Sequence, residues 1–279
     1  MNTELRALFA FLLIVALGWV GYSYVFSDAS GVPVVLYEVQ GRVEVESGGA
    51  RSMAQVGGEI GASDRIFAGD DGRAVLGLGG ENRLTLEANT SVQITSVDTT
   101  GVRLSLENGR VRATVRSGGP GVAIQAGTRQ ITATDADFDI TRGEDGVGVS
   151  TSRGAIDVDG VPLGDGQRAI LPPQGDPLQL PASDSLLLQM SWPGATRTAS
   201  PSVLVTGQTE PLARVRVQTS SARADTQSDK LGNFEVAIAL GEGANVVVVE
   251  ATNMFGQTSE ARWTVARDST PPKIGVEIQ

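Results

Sequence analysis

Two residue types are missing from this chain altogether: it has no cysteine and no histidine. Without cysteine no disulfide supports the fold, and thiol nucleophiles, thiolate metal centres and a lipidated leader are excluded. Without histidine the commonest general base, metal ligand and near-neutral switch is gone. Histidine-dependent triads and histidine-ligated zinc go with it. Lysine is nearly absent too. Lys230 and Lys273 are the only two, and neither stands in a Ser-x-x-Lys motif, so the hydroxyl clusters Ser150-Thr151-Ser152 and Thr219-Ser220-Ser221 read as strand ends or loops. Aromatic residues make up 5% of the chain. The net charge is −10 and the pI is near 4.6, with no basic patch to hold a phosphate backbone, so nucleic acid is not an expected partner.

One long apolar run is present. Ala7 to Phe26 carries no charge and as a helix would rise about 30 Å, enough to cross a hydrocarbon core. Leu8, Leu12, Leu13 and Ile14 form its apolar body, and Trp19, Tyr22 and Tyr24 gather at the end where aromatic rings suit the headgroup level. Arg6 precedes the run and Asp28 follows it, which points to a cytoplasmic stub (1–27 with the anchor) and a body outside. The competing reading is a cleaved signal peptide ending at Ser27-Asp28-Ala29; the run is longer than the usual apolar region of such signals. Either way the expected place is the bacterial inner membrane, single pass, with the C-terminal body in the periplasm.

After residue 27 no stretch sustains a 3.6-residue period. From Val34 to Leu171 the period is two, as in Ala74-Val75-Leu76-Gly77-Leu78, Val102-Arg103-Leu104-Ser105-Leu106 and Val111-Arg112-Ala113-Thr114-Val115. Asp71-Gly72, Gly79-Gly80, Asn108-Gly109 and Gly118-Gly119 punctuate these runs, and Asn108-Gly109 is the strongest hairpin signal. Residues 172–199 are rich in proline and read as a linker, with Leu186 to Trp192 an apolar segment inside it that would form an edge strand or pack between neighbours. From Val203 to Val265 short alternating runs return, which suggests a small sandwich over 200–267. The expected class is therefore all-β with one N-terminal transmembrane helix.

Two resemblances carry this further. Residues 34–171 resemble the FecR-type domain, through Gly41-Arg42-Val43-Glu44-Val45, Gly58 to Gly69, Asp71 to Leu76, Leu84 to Val92, Leu106 to Val111, Gly154 to Val158 and Gly164-Asp165-Gly166-Gln167, in the family's order. The resemblance implies a stacked, solenoid-like or sandwich-like β domain and a part in signalling across the envelope. The family usually has a Gly-Thr pair before a Phe, where this chain reads Asp135-Ala136-Asp137-Phe138-Asp139. Its regulators also carry a cytoplasmic domain for a sigma factor, whereas about six residues precede the apolar run here, so a second membrane protein would have to relay any signal. Residues 200–267 look like the Ig-like module called glucodextranase domain B-like, through Val205-Thr206-Gly207, Leu231-Gly232-Asn233-Phe234, Leu240 to Asn245 and Ala251-Thr252-Asn253. That resemblance implies a fold and little about activity.

Candidate sites are few. Asp135, Asp137 and Asp139 alternate and would share one strand face, where three carboxylates suit either solvent or a calcium ion. Asp157 and Asp159 form a similar pair. Trp192 and Trp263 would serve either the sandwich core or a sugar-stacking platform. In residues 268–279 an alternating strand places Ile274, Val276 and Ile278 on one face, suited to pairing with a partner's sheet edge or to folding back. No catalytic constellation and no cofactor are expected. The reading is a non-enzymatic binding or scaffold protein that engages another envelope or inner-membrane protein. Its alternatives are a cell-wall glycan binder and a FecR-like transmembrane signalling component.

Overall fold

The structure, a computed structural model, describes residues 33–270 except Asp145 and Asp184. It corrects the expected fold class. The described residues form strands and turns only, and no helix among them is long and apolar enough to cross a membrane. Over the described residues the fold class is all-β, and no transmembrane helix is found among them. The run Ala7 to Phe26, with Leu8, Leu12, Leu13, Ile14, Trp19, Tyr22 and Tyr24, lies outside the described residues, as do Ile274, Val276 and Ile278. The physical reason for the correction is that apolarity and length fit a spanning helix without specifying one, while the backbone of the described residues is strand and turn alone.

In chain order the strands are β1 (Val35–Gln40), β2 (Val43–Ser47), β3 (Ala50–Met53), β4 (Arg65–Ala68), β5 (Arg73–Gly77), β6 (Arg83–Leu86), β7 (Thr90–Val97), β8 (Gly101–Val115), β9 (Gly121–Ala126), β10 (Arg129–Gly143) and β11 (Gly146–Val158). Then come β12 (Val161–Leu163), β13 (Arg168–Leu171), β14 (Leu178–Leu180), β15 (Gln189–Ser191), β16 (Arg197–Thr198), β17 (Ser202–Gln208), β18 (Arg214–Gln218), β19 (Arg223–Gln227), β20 (Asn233–Ala239), β21 (Gly243–Thr252) and β22 (Thr258–Arg267). Contacts divide the chain into two compact units. The first holds the residues up to Phe138 together with Gly154–Pro162, and the second holds Asp139–Arg153 and everything from Leu163 on.

In the first unit the ladder runs β3-β2-β4-β7-β8-β9-β10, with β6, β5 and β1 paired in series from the far half of β8. Alternation decides what is buried: Leu36, Ile66, Leu84, Leu86, Ile94, Leu104, Ile124 and Phe138 are closed to solvent while their strand neighbours are not. The Asn108-Gly109 signal does not make a hairpin. β8 runs straight through it, pairing with β7 up to Asn108 and with β6 from Val111 on. Leu104 and Leu106 are buried before this point, and Val111 and Ala113 after it, so the period of two slips by one residue at the break. Gly109 takes φ +96, and a Cβ there would stand 2.4 Å from Thr90 Oγ1 and 2.5 Å from the Asn89 carbonyl oxygen. The glycine thus lets β8 change partners against a neighbouring turn, while Asn108 Nδ2 donates to the Asn89 carbonyl (2.9 Å). Gly109→Ala should cost about 1–3 kcal/mol of unfolding free energy, measured by urea titration. The far half of β8 also serves as the crossover that a parallel pair needs, so β9 begins beside Gly101 and pairs parallel with β8.

In the second unit β13 lies between β11 and β14, antiparallel to both, and all four of its residues are buried. The proline-rich stretch supplies β14, β15 and β16. β15 pairs with β17, so the apolar segment around Leu186 is an edge of the C-terminal sandwich. Its two sheets, β15-β17-β20 and β16-β22-β21-β18-β19, close over a core of Leu186, Val205, Val215, Val217, Phe234, Ile238, Val247, Val249 and Val265.

Candidate functional site

The first unit carries its chemistry on a strand edge. Ser47-Gly48-Gly49-Ala50 turns β2 into β3 through two positive-φ glycines, a short hairpin that needs no side chain. β3 ends its ladder, paired with β2 alone, and all four of its residues are exposed. Met53, its last residue, is 57% exposed and nearby Val56 64%. An edge of this kind presents unpaired backbone donors and acceptors. Inward from it runs a chain of ion pairs: Arg42 to Glu44 (2.7 Å), Glu44 to Arg51 (3.5 Å), Arg51 to Glu46 (3.0 Å), Glu46 to Arg65 (3.8 Å) and Arg65 to Glu107 (3.0 Å). Arg51 also lies 4.0 Å over the Phe67 ring. Three cations alternate with three anions, which arginine's flat fork permits and lysine's point charge does not. The hydrogen bond from Arg42, ahead of its charge, holds the Glu44 carboxyl below the usual range.

The alternation of Asp135, Asp137 and Asp139 stands: Ala136, Phe138 and Ile140 are buried and the three carboxylates lie on the opposite, half-exposed face of β10. Asp137 accepts two hydrogen bonds from the Arg116 guanidinium, at 2.6 and 3.4 Å. Asp135 and Asp139 are also engaged. Among the described residues no group of three or more acidic side chains is placed to hold a metal ion. Asp157 and Asp159 do turn work. Asp157 accepts from the Gly160 amide (2.9 Å), and Asp159 accepts from the Gln130 amide (2.8 Å) and pairs with Arg129 (3.1 Å). Trp192 and Trp263 stack on each other, centroids 5.7 Å apart at 18°, half-buried against the sandwich core.

Sequence reasoning passed over Arg168, a heavily bonded side chain of the second unit. It is 7% exposed. Its guanidinium donates to the Pro181 carbonyl (3.1 and 2.9 Å), to Gln257 Oε1 (3.1 Å) and to Glu210 Oε1 (3.1 Å), and lies 4.7 Å over the Phe255 ring. Glu210 accepts in turn from Asn253 Nδ2 (2.8 Å), and Gln257 Nε2 donates to the Ser183 carbonyl (2.9 Å). This buried network ties β13 to the segment after β14, the turn before β18 and the turn after β21. Gly148 of β11 meets the same turn, since a Cβ there would lie 2.9 Å from Met254 Cβ. Its side-chain partners come from positions 42 to 89 residues away, so no local pattern announces them.

Acid sensitivity is expected from exposed carboxylates that accept hydrogen bonds. The Thr100 hydroxyl holds Asp98 below the usual aspartate range, Arg223 holds Asp225 there, and the Asn233 amide holds Asp229 there. A carboxyl depressed in the folded state adds stability above its unfolded value, about pH 3.9, and that contribution is lost as pH falls through the lower folded value. Urea titrations from pH 5 to pH 2 should show stability declining below about pH 3.9, and Asp229→Asn should flatten the dependence.

None of the curated proteins matches the chain. Among solved structures, a protein described as a putative anti-sigma factor from Parabacteroides distasonis is 17% identical, with a TM-score of 0.38 over 42% of this chain and 59% of that one. The fibronectin(III)-like modules of Clostridium thermocellum CbhA are 12% identical, with a TM-score of 0.28 over 67% of this chain and 100% of theirs. Likeness this distant assigns neither activity nor partner. This chain spans 59% of the length of the first of these structures. The family model described as FecR protein matches residues 64–157, within the wider span 34–171 over which the motifs suggest it. The segment from Asp64 to Asp157 is thus the part of this chain that matches the FecR family.

Proposed function

We propose that this protein is a non-enzymatic, signalling-related component that binds another protein through its first unit, which holds β3 and most of the FecR-type match. The match of residues 64–157 to the FecR model is the observation that carries the reading. The exposed edge β3, with its open backbone groups and its terminal Met53, supports strand addition by an extended segment of that partner. The alternating ion pairs beside it support selectivity for one register, because like charges brought opposite one another are unfavourable. We further propose that the body acts in the periplasm, a reading supported by the charge-free run Ala7 to Phe26.

The test is a photo-crosslinking residue at Met53 in living cells, with the same substitution at Leu231, 74% exposed in the other unit, as control. A discrete adduct from position 53 and none from 231 is the expected result. Equal adducts, or none, would remove β3 as the contact. Deleting the gene should alter envelope-responsive transcription; an unchanged profile would end the signalling reading. A C-terminal alkaline phosphatase fusion should be active if the body is exported.

A further inference from the structure

The outer face of the β15-β17-β20 sheet holds a groove of 540 Å³ that the ion-pair edge does not use. Register builds it from two rows of polar side chains. Gln189, Gln208 and Asn233 stand opposite one another across the three strands, and Ser191, Thr206 and Glu235 form the next row. Their strand neighbours Met190, Val205, Val236 and Phe234 turn inward against the core. The floor between the rows is backbone at Gly207. A Cβ there would lie 2.6 Å from both the Phe234 ring and the Gln189 carbonyl, so the glycine leaves room on the core side for that ring and shows only backbone to the groove. Its size falls in the range of about 300–1,000 Å³ typical of small-ligand sites.

The groups that line it are unequally committed. Asp229 at its end is spent on its own turn, accepting from the Leu231 amide (2.8 Å), the Asn233 amide (2.9 Å) and Asn233 Nδ2 (3.3 Å). Gln208 gives one weak bond to the Leu231 carbonyl (3.3 Å). The Glu235 carboxylate and the Gln189 amide carry no hydrogen bond among the described residues. The groove is thus a grid of planar amides with one open carboxylate and no cation. Anions find no counter-charge in it, and a divalent ion finds one available carboxylate where it wants several oxygen ligands. What fits is a neutral molecule that presents many hydroxyls, each able to donate to a carboxylate or amide oxygen and accept from an amide N–H.

We propose that this groove is a binding site for neutral oligosaccharide, with Glu235 and Gln208 as its principal hydrogen-bonding residues. The site is separate from the β3 edge and stands or falls independently of the protein-binding role. The test titrates the full chain with chitotetraose and with cellotetraose, an N-acetylated and a plain glycan, up to about 10 mM, following the side-chain amide resonances by NMR. The expected result is saturable shifts at Gln189, Gln208 and Asn233 with at least one sugar. Glu235→Ala should weaken binding at least about tenfold and Gln208→Ala about fivefold, as loss of a charged and a neutral hydrogen bond predicts. Arg216→Ala, on the opposite sheet, should leave binding unchanged, and all three variants should keep the parental Tm. Preference for one sugar names the glycan class. No binding of either sugar, binding that both groove variants leave intact, or shifts confined to the Trp192–Trp263 pair would overturn the proposal.

Discussion

Arg168→Met should destabilise the second unit by about 3–5 kcal/mol, the cost of breaking a buried pair from one side. The guanidinium serves four acceptor contacts at once, on Pro181, Gln257 and Glu210. Its removal strands a Glu210 side chain only 13% exposed, together with the Pro181 carbonyl. The Arg168→Met/Glu210→Met double variant should recover much of the loss, because a buried ion pair replaced on both sides by apolar groups is often neutral. Urea unfolding followed by tryptophan fluorescence would read the C-terminal sandwich through the stacked Trp192 and Trp263. A single-variant loss below about 1 kcal/mol would mean that solvent reaches the network and that it behaves as a surface pair.

Phe138→Ala is the second large effect, about 3–5 kcal/mol, through lost transfer energy and the cavity left behind. Phe138 is 1% exposed and stands among the largest fully buried side chains of the first unit. Phe138→Leu should cost less than about 1.5 kcal/mol, since volume is mostly kept. Its neighbour Asp137, on the opposite face of β10, should cost no more than about 1 kcal/mol as Asp137→Ala despite its two bonds to Arg116, because both partners are partly solvated. Equal losses at 137 and 138 would refute the assignment of faces. Circular dichroism during urea titration decides it.

That pair of neighbours marks how far a one-dimensional reading reaches. Alternation of polar and apolar residues tells which face of β10 is buried, because the period belongs to the extended backbone itself. It does not tell that Arg116, 21 residues upstream, meets Asp137, because that contact depends on which strands lie side by side. The same limit explains Asn108-Gly109. The positive φ expected at Gly109 is present, but the chain spends it on a close approach to Asn89 and Thr90 and a change of pairing partner, not on reversal. In the candidate sites, the Asp ladder was visible from spacing. The β3 edge, the Arg168 network and the β15-β17-β20 groove were not, since each depends on pairing between segments that no local pattern specifies.

By itself the sequence determined the β class of the body, the inward and outward faces of its strands, the absence of thiol and imidazole chemistry, and the order of FecR-type motifs. These are properties of composition and of a two-residue period, which act locally. Only the tertiary structure decided that β8 is one strand with two partners, that the proline-rich stretch contributes β15 and β16 to the C-terminal sandwich, and which arginine meets which carboxylate. Those outcomes turn on register and strand order, where many arrangements share the same local pattern and packing between distant segments selects one.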